Sequence, residues 1–86
     1  MRSVRLYVGN LAKDVTEQDL AELFAGAGTV VGVSLVIDRG TGRTRGFGFV
    51  EMGSDADAER ALQRFNGHTL KGRPLVVNEA RALPAR

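Results

Sequence analysis

Residues 45–52 read Arg45-Gly46-Phe47-Gly48-Phe49-Val50-Glu51-Met52. As a strand, this stretch sorts into two sets, because successive side chains point to opposite faces. Val50 and Met52 share one face with Gly46 and Gly48, and Arg45, Phe47, Phe49 and Glu51 share the other. The apolar set suits a face packed on helices, and the charged set belongs in water. Two phenylalanines therefore stand on the wet face, although aromatic rings contribute most when buried in a core. The glycines also weaken the strand by intrinsic preference. Something other than local stability must favour the arrangement.

The same pattern recurs toward the N-terminus. Leu6 and Val8 share a face and leave Tyr7 on the other, in a short strand that ends near Gly9-Asn10. Three of the five aromatic residues thus fall on an open face. Between these strands, Thr16 suits a helix N-cap, Glu17 and Asp19 favour the positive end of the helix dipole, and Val15 can staple onto Leu20. Leu20, Leu23 and Phe24 mark the apolar stripe of that helix, and Gly26 and Gly28 end it. Residues 30–37 are rich in β-branched types and read as a second strand. Residues 38–42, Asp38-Arg39-Gly40-Thr41-Gly42, form a turn that is long for a tight hairpin and reads as a mobile loop before the strand over 47–52.

Beyond Met52, Ser54 with Asp57 repeats the capping signal. Ala58, Ala61, Leu62 and Phe65 follow at i, i+3, i+4 and i+7, giving a second amphipathic helix closed by Asn66-Gly67. A last strand covers 75–78, entered through Gly72-Arg73-Pro74. The order is βαββαβ, the α+β ferredoxin-like arrangement: a four-stranded antiparallel sheet with both helices on one face, since each helix carries one apolar stripe. The opposite face is left to solvent. One domain over 1–86 is expected, with its core at about 4–81 and a frayed tail at 82–86.

Composition removes most other classes. The chain has 86 residues, 43% hydrophobic and 26% charged, an ordinary globular mixture. There is no cysteine, which excludes disulfides and thiolate metal sites and makes a reducing compartment the default. No apolar run approaches the roughly 20 residues of a membrane span, and the N-terminus shows no secretion signal. The single histidine, His68, follows Asn66-Gly67 in a turn and cannot build a zinc site or a Ser/His/Asp constellation alone. Gly26-Ala27-Gly28 begins like a dinucleotide fingerprint, but it follows a helix and has valine at 31. No P-loop is present. The expectation is a non-enzymatic protein without cofactor or metal.

A stacking platform accounts for the outward rings. Bases offer π-faces, and each base stacked on an aromatic side chain contributes about 1–3 kcal/mol. Net charge is only +2, but it is sorted: three arginines and no acid lie in 39–45, while acids concentrate in 14–22 and 51–59. Arg45 opens the aromatic strand and is placed to pair with a phosphate; Arg43 and Arg39 in the adjoining loop can clamp a backbone. Two simpler readings compete. The rings of Tyr7, Phe47 and Phe49 can form a cross-strand cluster that stabilises the sheet, or the same face can dock a partner protein.

Residues 45–52 resemble the ribonucleoprotein octamer of the RNA recognition motif family, and Leu6-Tyr7-Val8-Gly9-Asn10-Leu11 resembles its hexamer. The resemblance covers about residues 4–81, with both motifs in order and at suitable spacing. It implies that Tyr7 and Phe49 stack on successive bases, that Phe47 lies against sugars or a further base, and that Arg45 contacts a phosphate. Asn78 and Glu79 match the stretch where the family often contacts bases. Two positions depart from the family pattern: Met52, where the octamer usually ends in an aromatic, and Val76 on the open face, where many relatives are basic. The short format resembles small single-domain bacterial RNA-binding proteins. The resemblance implies single-stranded RNA, or single-stranded DNA, as partner, no membrane or small-molecule substrate, a monomer, and a cytoplasmic or otherwise intracellular setting.

Overall fold

A computed structural model describes residues 3–80; the expected frayed tail at 82–86 lies outside the described residues. The elements are β1 (Val4–Gly9), α1 (Glu17–Ala25), β2 (Val30–Ile37), β3 (Thr44–Met52), α2 (Asp55–Phe65), β4 (Thr69–Leu70), β5 (Arg73–Pro74) and β6 (Val76–Glu79). Four strands form an antiparallel sheet in the order β2-β3-β1-β6, which places the two aromatic strands at its centre. β4 and β5 make a separate small hairpin.

Both helices pack on one face. Leu6, Val8, Val50, Met52 and Val77 from the sheet meet Leu20 and Phe24 of α1 and Ala58, Ala61 and Phe65 of α2, all buried. Phe24 and Phe65 bring the helices together with ring centroids 4.8 Å apart. These are the residues whose spacing defined the apolar stripes, so the parity of β1 and β3 is settled by the core.

The helix ends follow local chemistry. Thr16 caps α1 by accepting the Asp19 backbone N–H at 3.1 Å, and the Asp19 carboxylate accepts the Thr16 backbone N–H at 2.9 Å. Val15 and Leu20 are both buried, consistent with a hydrophobic staple. Ser54 caps α2 in the same way, but Asp57 does not reciprocate; its carboxylate accepts from Thr29 N–H and Arg60 instead. Asp57 occupies the space where a Gly28 side chain would stand, so this glycine permits a close approach. Gly26 has an ordinary helical conformation, not a left-handed one. The end of α1 is closed from α2: Arg60 donates to Ala27 O and Arg64 to Gly26 O, each at 2.8 Å. Cations there also complement the helix dipole.

Three boundaries differ from the sequence reading. β3 begins at Thr44, before the expected residue 47, because Thr44 pairs with Ile37 beyond an irregularity in the β2–β3 ladder. The segment 38–43 is a hydrogen-bonded turn: Asp38 N–H donates to Arg43 O at 2.7 Å and Gly42 N–H to Asp38 O at 2.8 Å. The last strand starts at Val76, since Leu75 exchanges backbone hydrogen bonds with Gly67 and His68 rather than with β1. The β4–β5 hairpin was not anticipated. It turns on Lys71 and Gly72, both at positive φ (51° and 87°), as a two-residue type I′ loop requires.

Lys71 at that turn lies 3.3 Å from the Asp19 carboxylate. The Thr16 backbone hydrogen bond, aided by Lys71, holds Asp19 below its ordinary value of 3.8. A carboxyl with a lowered folded-state pKa stabilises the fold above its unfolded-state pKa and loses that contribution as pH falls through the folded value. Asp19→Asn is therefore expected to flatten the fall of the thermal midpoint on acidification below about pH 4. An equally steep fall in the variant would show that the capping carboxylate does not drive it.

Candidate nucleic-acid interface

The sheet face turned away from the helices carries the outward set. Tyr7 pairs with Phe49 across β1–β3 and with Asn78 across β1–β6, while Phe49 pairs with Ser34 on β2. Asn78, Tyr7, Phe49 and Ser34 thus form one row across all four strands. The next row toward the end of β1 holds Val76, Gly9 and Phe47. The three rings form a cluster: Tyr7–Phe47 centroids lie 6.0 Å apart, Tyr7–Phe49 6.1 Å and Phe47–Phe49 6.5 Å, tilted or edge-on. None is in the hydrophobic core, and each keeps part of its surface open. The cross-strand contacts are real, and all three rings stay only partly buried.

The glycines serve this geometry. The Tyr7 ring lies over Gly9, where an added Cβ would come within 2.8 Å of ring carbons; only a residue without a side chain leaves the ring room to lie there. Gly48 closes the other side, since a Cβ would press on the Ser34 carbonyl and Leu35 of β2. The weak strand formers therefore have a steric reason, which offsets their intrinsic cost.

Charges ring the platform. Arg39, Arg43 and Arg45 are all exposed, the first two on the turn between β2 and β3 and the third at the start of β3. Asn78 is exposed in the aromatic row. Glu79 is exposed too, but it pairs in register with buried Leu6, so its parity is that of the helix-packed face. It is not brought into the row with Tyr7 and Phe49. Val76 is 41% exposed on the open face, as its parity requires.

Arg5 was missed by sequence reasoning. Its guanidinium carbon lies 5.4 Å from the Phe49 ring centroid, a cation–π contact worth about 0.5–1 kcal/mol at an exposed site. Arg5 faces Glu51 in register, yet the Glu51 carboxylate accepts from the Ser3 hydroxyl. The signal was available: Arg5 lies two residues before Tyr7 and shares its face.

A central aromatic pair on an open four-stranded sheet, backed by two helices, is the arrangement that the octamer and hexamer resemblance implies. The sequence profile of the RNA recognition motif matches residues 6–76. The chain belongs to the RNA recognition motif family. RbpB of Nostoc sp., a protein named for RNA binding, is 54% identical over 76 residues, covering 88% of this chain and 74% of RbpB. The chloroplast 29 kDa ribonucleoprotein of Arabidopsis thaliana is 48% identical over 83 residues, or 96% of this chain but 24% of that protein. Among solved structures, RNA-binding protein PG1 superposes with a TM-score of 0.86 at 44% identity, covering 95% of this chain and 99% of PG1. The Rna15 RRM with bound RNA (GU) superposes with a TM-score of 0.84 at 26% identity, covering 94% and 86%. In this RRM no helix among the described residues is long and apolar enough to cross a membrane.

Proposed function

We propose that this RRM is a non-catalytic module that binds single-stranded RNA, with Tyr7 and Phe49 as the main stacking platforms and Phe47 beside them. The observation that carries this reading is the row Asn78–Tyr7–Phe49–Ser34, in which two rings occupy the centre of an open sheet face. Asn78 is placed to hydrogen-bond a base edge. Arg45, with Arg43 and Arg39 on the adjoining turn, supplies phosphate contacts, and Glu79 is left a peripheral, backbone-level role. Two or three stacked bases supply about 2–9 kcal/mol gross. Ordering the strand takes part of that back, giving weak to moderate affinity. Stacking needs no oligomer, so the module works as a monomer. It tolerates single-stranded DNA wherever no contact reads the 2′-hydroxyl. RNA-binding relatives at about half identity support the reading, and an intracellular, cytoplasmic setting accords with it.

Tyr7 is the only tyrosine, and there is no tryptophan. Intrinsic fluorescence therefore reports on the platform directly. Adding a randomised single-stranded RNA pool is expected to quench tyrosine emission in a saturable way. RNA that binds, by an independent mobility assay, without changing the emission would place the site elsewhere.

A further inference from the structure

β2 lies at one edge of the sheet, so one side of its backbone meets no neighbouring strand. The opposite edge is short and closed: β6 has four residues, and its Val77 N–H donates to Asn66 Oδ1 at 3.1 Å. β2 has eight residues, and its sequence, VVGVSLVI, carries no charge. An edge strand of this kind is a template for another chain unless it is covered or charged. The Ser34 carbonyl turns toward β3, where it crowds the position of a Cβ on Gly48. Its neighbours Val33 and Leu35 therefore turn outward. Leu35 N–H does so and donates to the Glu17 carboxylate at 3.3 Å. No side chain among the described residues caps Val33.

On the helix side of this edge, β2 and α1 enclose a groove of about 350 Å³, lined by Glu17, Gln18, Ala21, Val30, Val31 and Val33. Four of these six side chains are apolar. Val31 is the extra residue where the β2–β3 register shifts, and it is 57% exposed. The rim is acidic. Asp14 and Asp19 are answered by Lys71, whereas Glu17 and Glu22 form no ion pair among the described residues. Gln18 ties Glu22 to the rim, donating to its carboxylate at 3.0 Å. These carboxylates repel nucleic acid. A second copy paired antiparallel about Ser34 would bring its own Glu17 to the same edge, like charge against like. A basic extended segment meets neither objection, and its cations gain charge-assisted hydrogen bonds.

We propose that the β2 edge and its groove are a docking site for an extended basic segment of a partner protein, added to the four-stranded sheet as a further strand. Main-chain hydrogen bonds to Val33 and Leu35 supply affinity, and alternate side chains supply selectivity. A lysine–apolar–lysine set at every second position fits the edge. The apolar side chain enters the groove against Ala21 and Val33, and the lysines reach Glu17 and Glu22. The site lies on the helix side of β2, so RNA on the platform and a protein on the edge are held together.

The test is an NMR titration of the protein with a capped peptide of sequence Thr-Lys-Thr-Val-Thr-Lys-Thr, with and without a saturating single-stranded RNA pool. Two further peptides are methylated on one or the other alternate set of backbone nitrogens. Saturable shifts centred on the Gly32 and Val33 amides are expected, unchanged by RNA, and lost with one of the two methylated peptides. Glu17→Gln/Glu22→Gln is expected to weaken the peptide by about 2- to 30-fold, the effect of two exposed ion pairs, with the thermal midpoint and RNA affinity unchanged. Equal binding by both methylated peptides would reduce the contact to charge attraction and overturn strand addition. Shifts centred on Tyr7 and Phe49, or no shift at millimolar peptide, would also overturn the site. Concentration-dependent shifts of the same amides in the protein alone would make a second copy the occupant and the proposal wrong.

Discussion

Phe49→Ala lowers the affinity for single-stranded RNA by about 5- to 100-fold while leaving the protein folded. The magnitude follows from one lost base stack at about 1–3 kcal/mol, with each 1.4 kcal/mol equal to a factor of ten. Phe49 is the ring on which the open face converges: Tyr7 is 6.1 Å away, Phe47 6.5 Å, and Arg5 lies over it at 5.4 Å. The same ring lies outside the buried core, so its removal opens no cavity there. Loss of its two edge-on ring contacts costs about 0.5–1.5 kcal/mol for each pair, a fall of roughly 4–24 °C in the thermal midpoint. Calorimetry and an RNA titration on the same sample separate the two effects. Unchanged affinity in the folded variant would remove Phe49 from the site.

Phe24→Ala produces the reverse pattern. Phe24 is fully buried and lies against Phe65 at 4.8 Å, where α1 and α2 meet over the sheet. Truncating a buried phenylalanine costs about 3–5 kcal/mol through lost burial and an unfilled cavity. Domains of this kind have only about 5–15 kcal/mol in total, and a short chain sits toward the lower end. A fall of roughly 10–40 °C in the thermal midpoint is expected. RNA affinity, measured well below the new midpoint, should stay within about twofold, because Phe24 lies on the far side of the sheet from the rings and only the folded fraction counts. A midpoint lowered by only a few degrees would contradict the packing at this junction.

The contrast between these two phenylalanines was legible before any coordinates. Period 2 in residues 45–52 set Phe49 apart from Val50, and period 3.6 in the first helix placed Phe24 with Leu20. Both assignments survive because the core enforces parity: a one-residue slip in β3 would bury Arg45 and Glu51. What the sequence could not convey was cross-strand register. Ser34 joins the aromatic row only through the way β2 aligns on the central pair, whereas the parity of Glu79 follows from alternation with Val76 and Asn78 along β6. Arg5 was visible by parity but carried no motif. The β4–β5 hairpin was missed for a different reason: two-residue strands have no periodicity to read, and Lys71 adopts a positive φ that its residue type does not advertise.

The most direct test of base stacking on the open sheet face is the affinity of the Tyr7→Ala/Phe49→Ala double variant for a randomised single-stranded RNA pool, measured beside wild type at two salt concentrations. Wild-type binding that weakens with salt and is abolished in the folded double variant is the predicted result. Equal binding by both proteins would contradict it, leaving phosphate contacts alone to hold the strand.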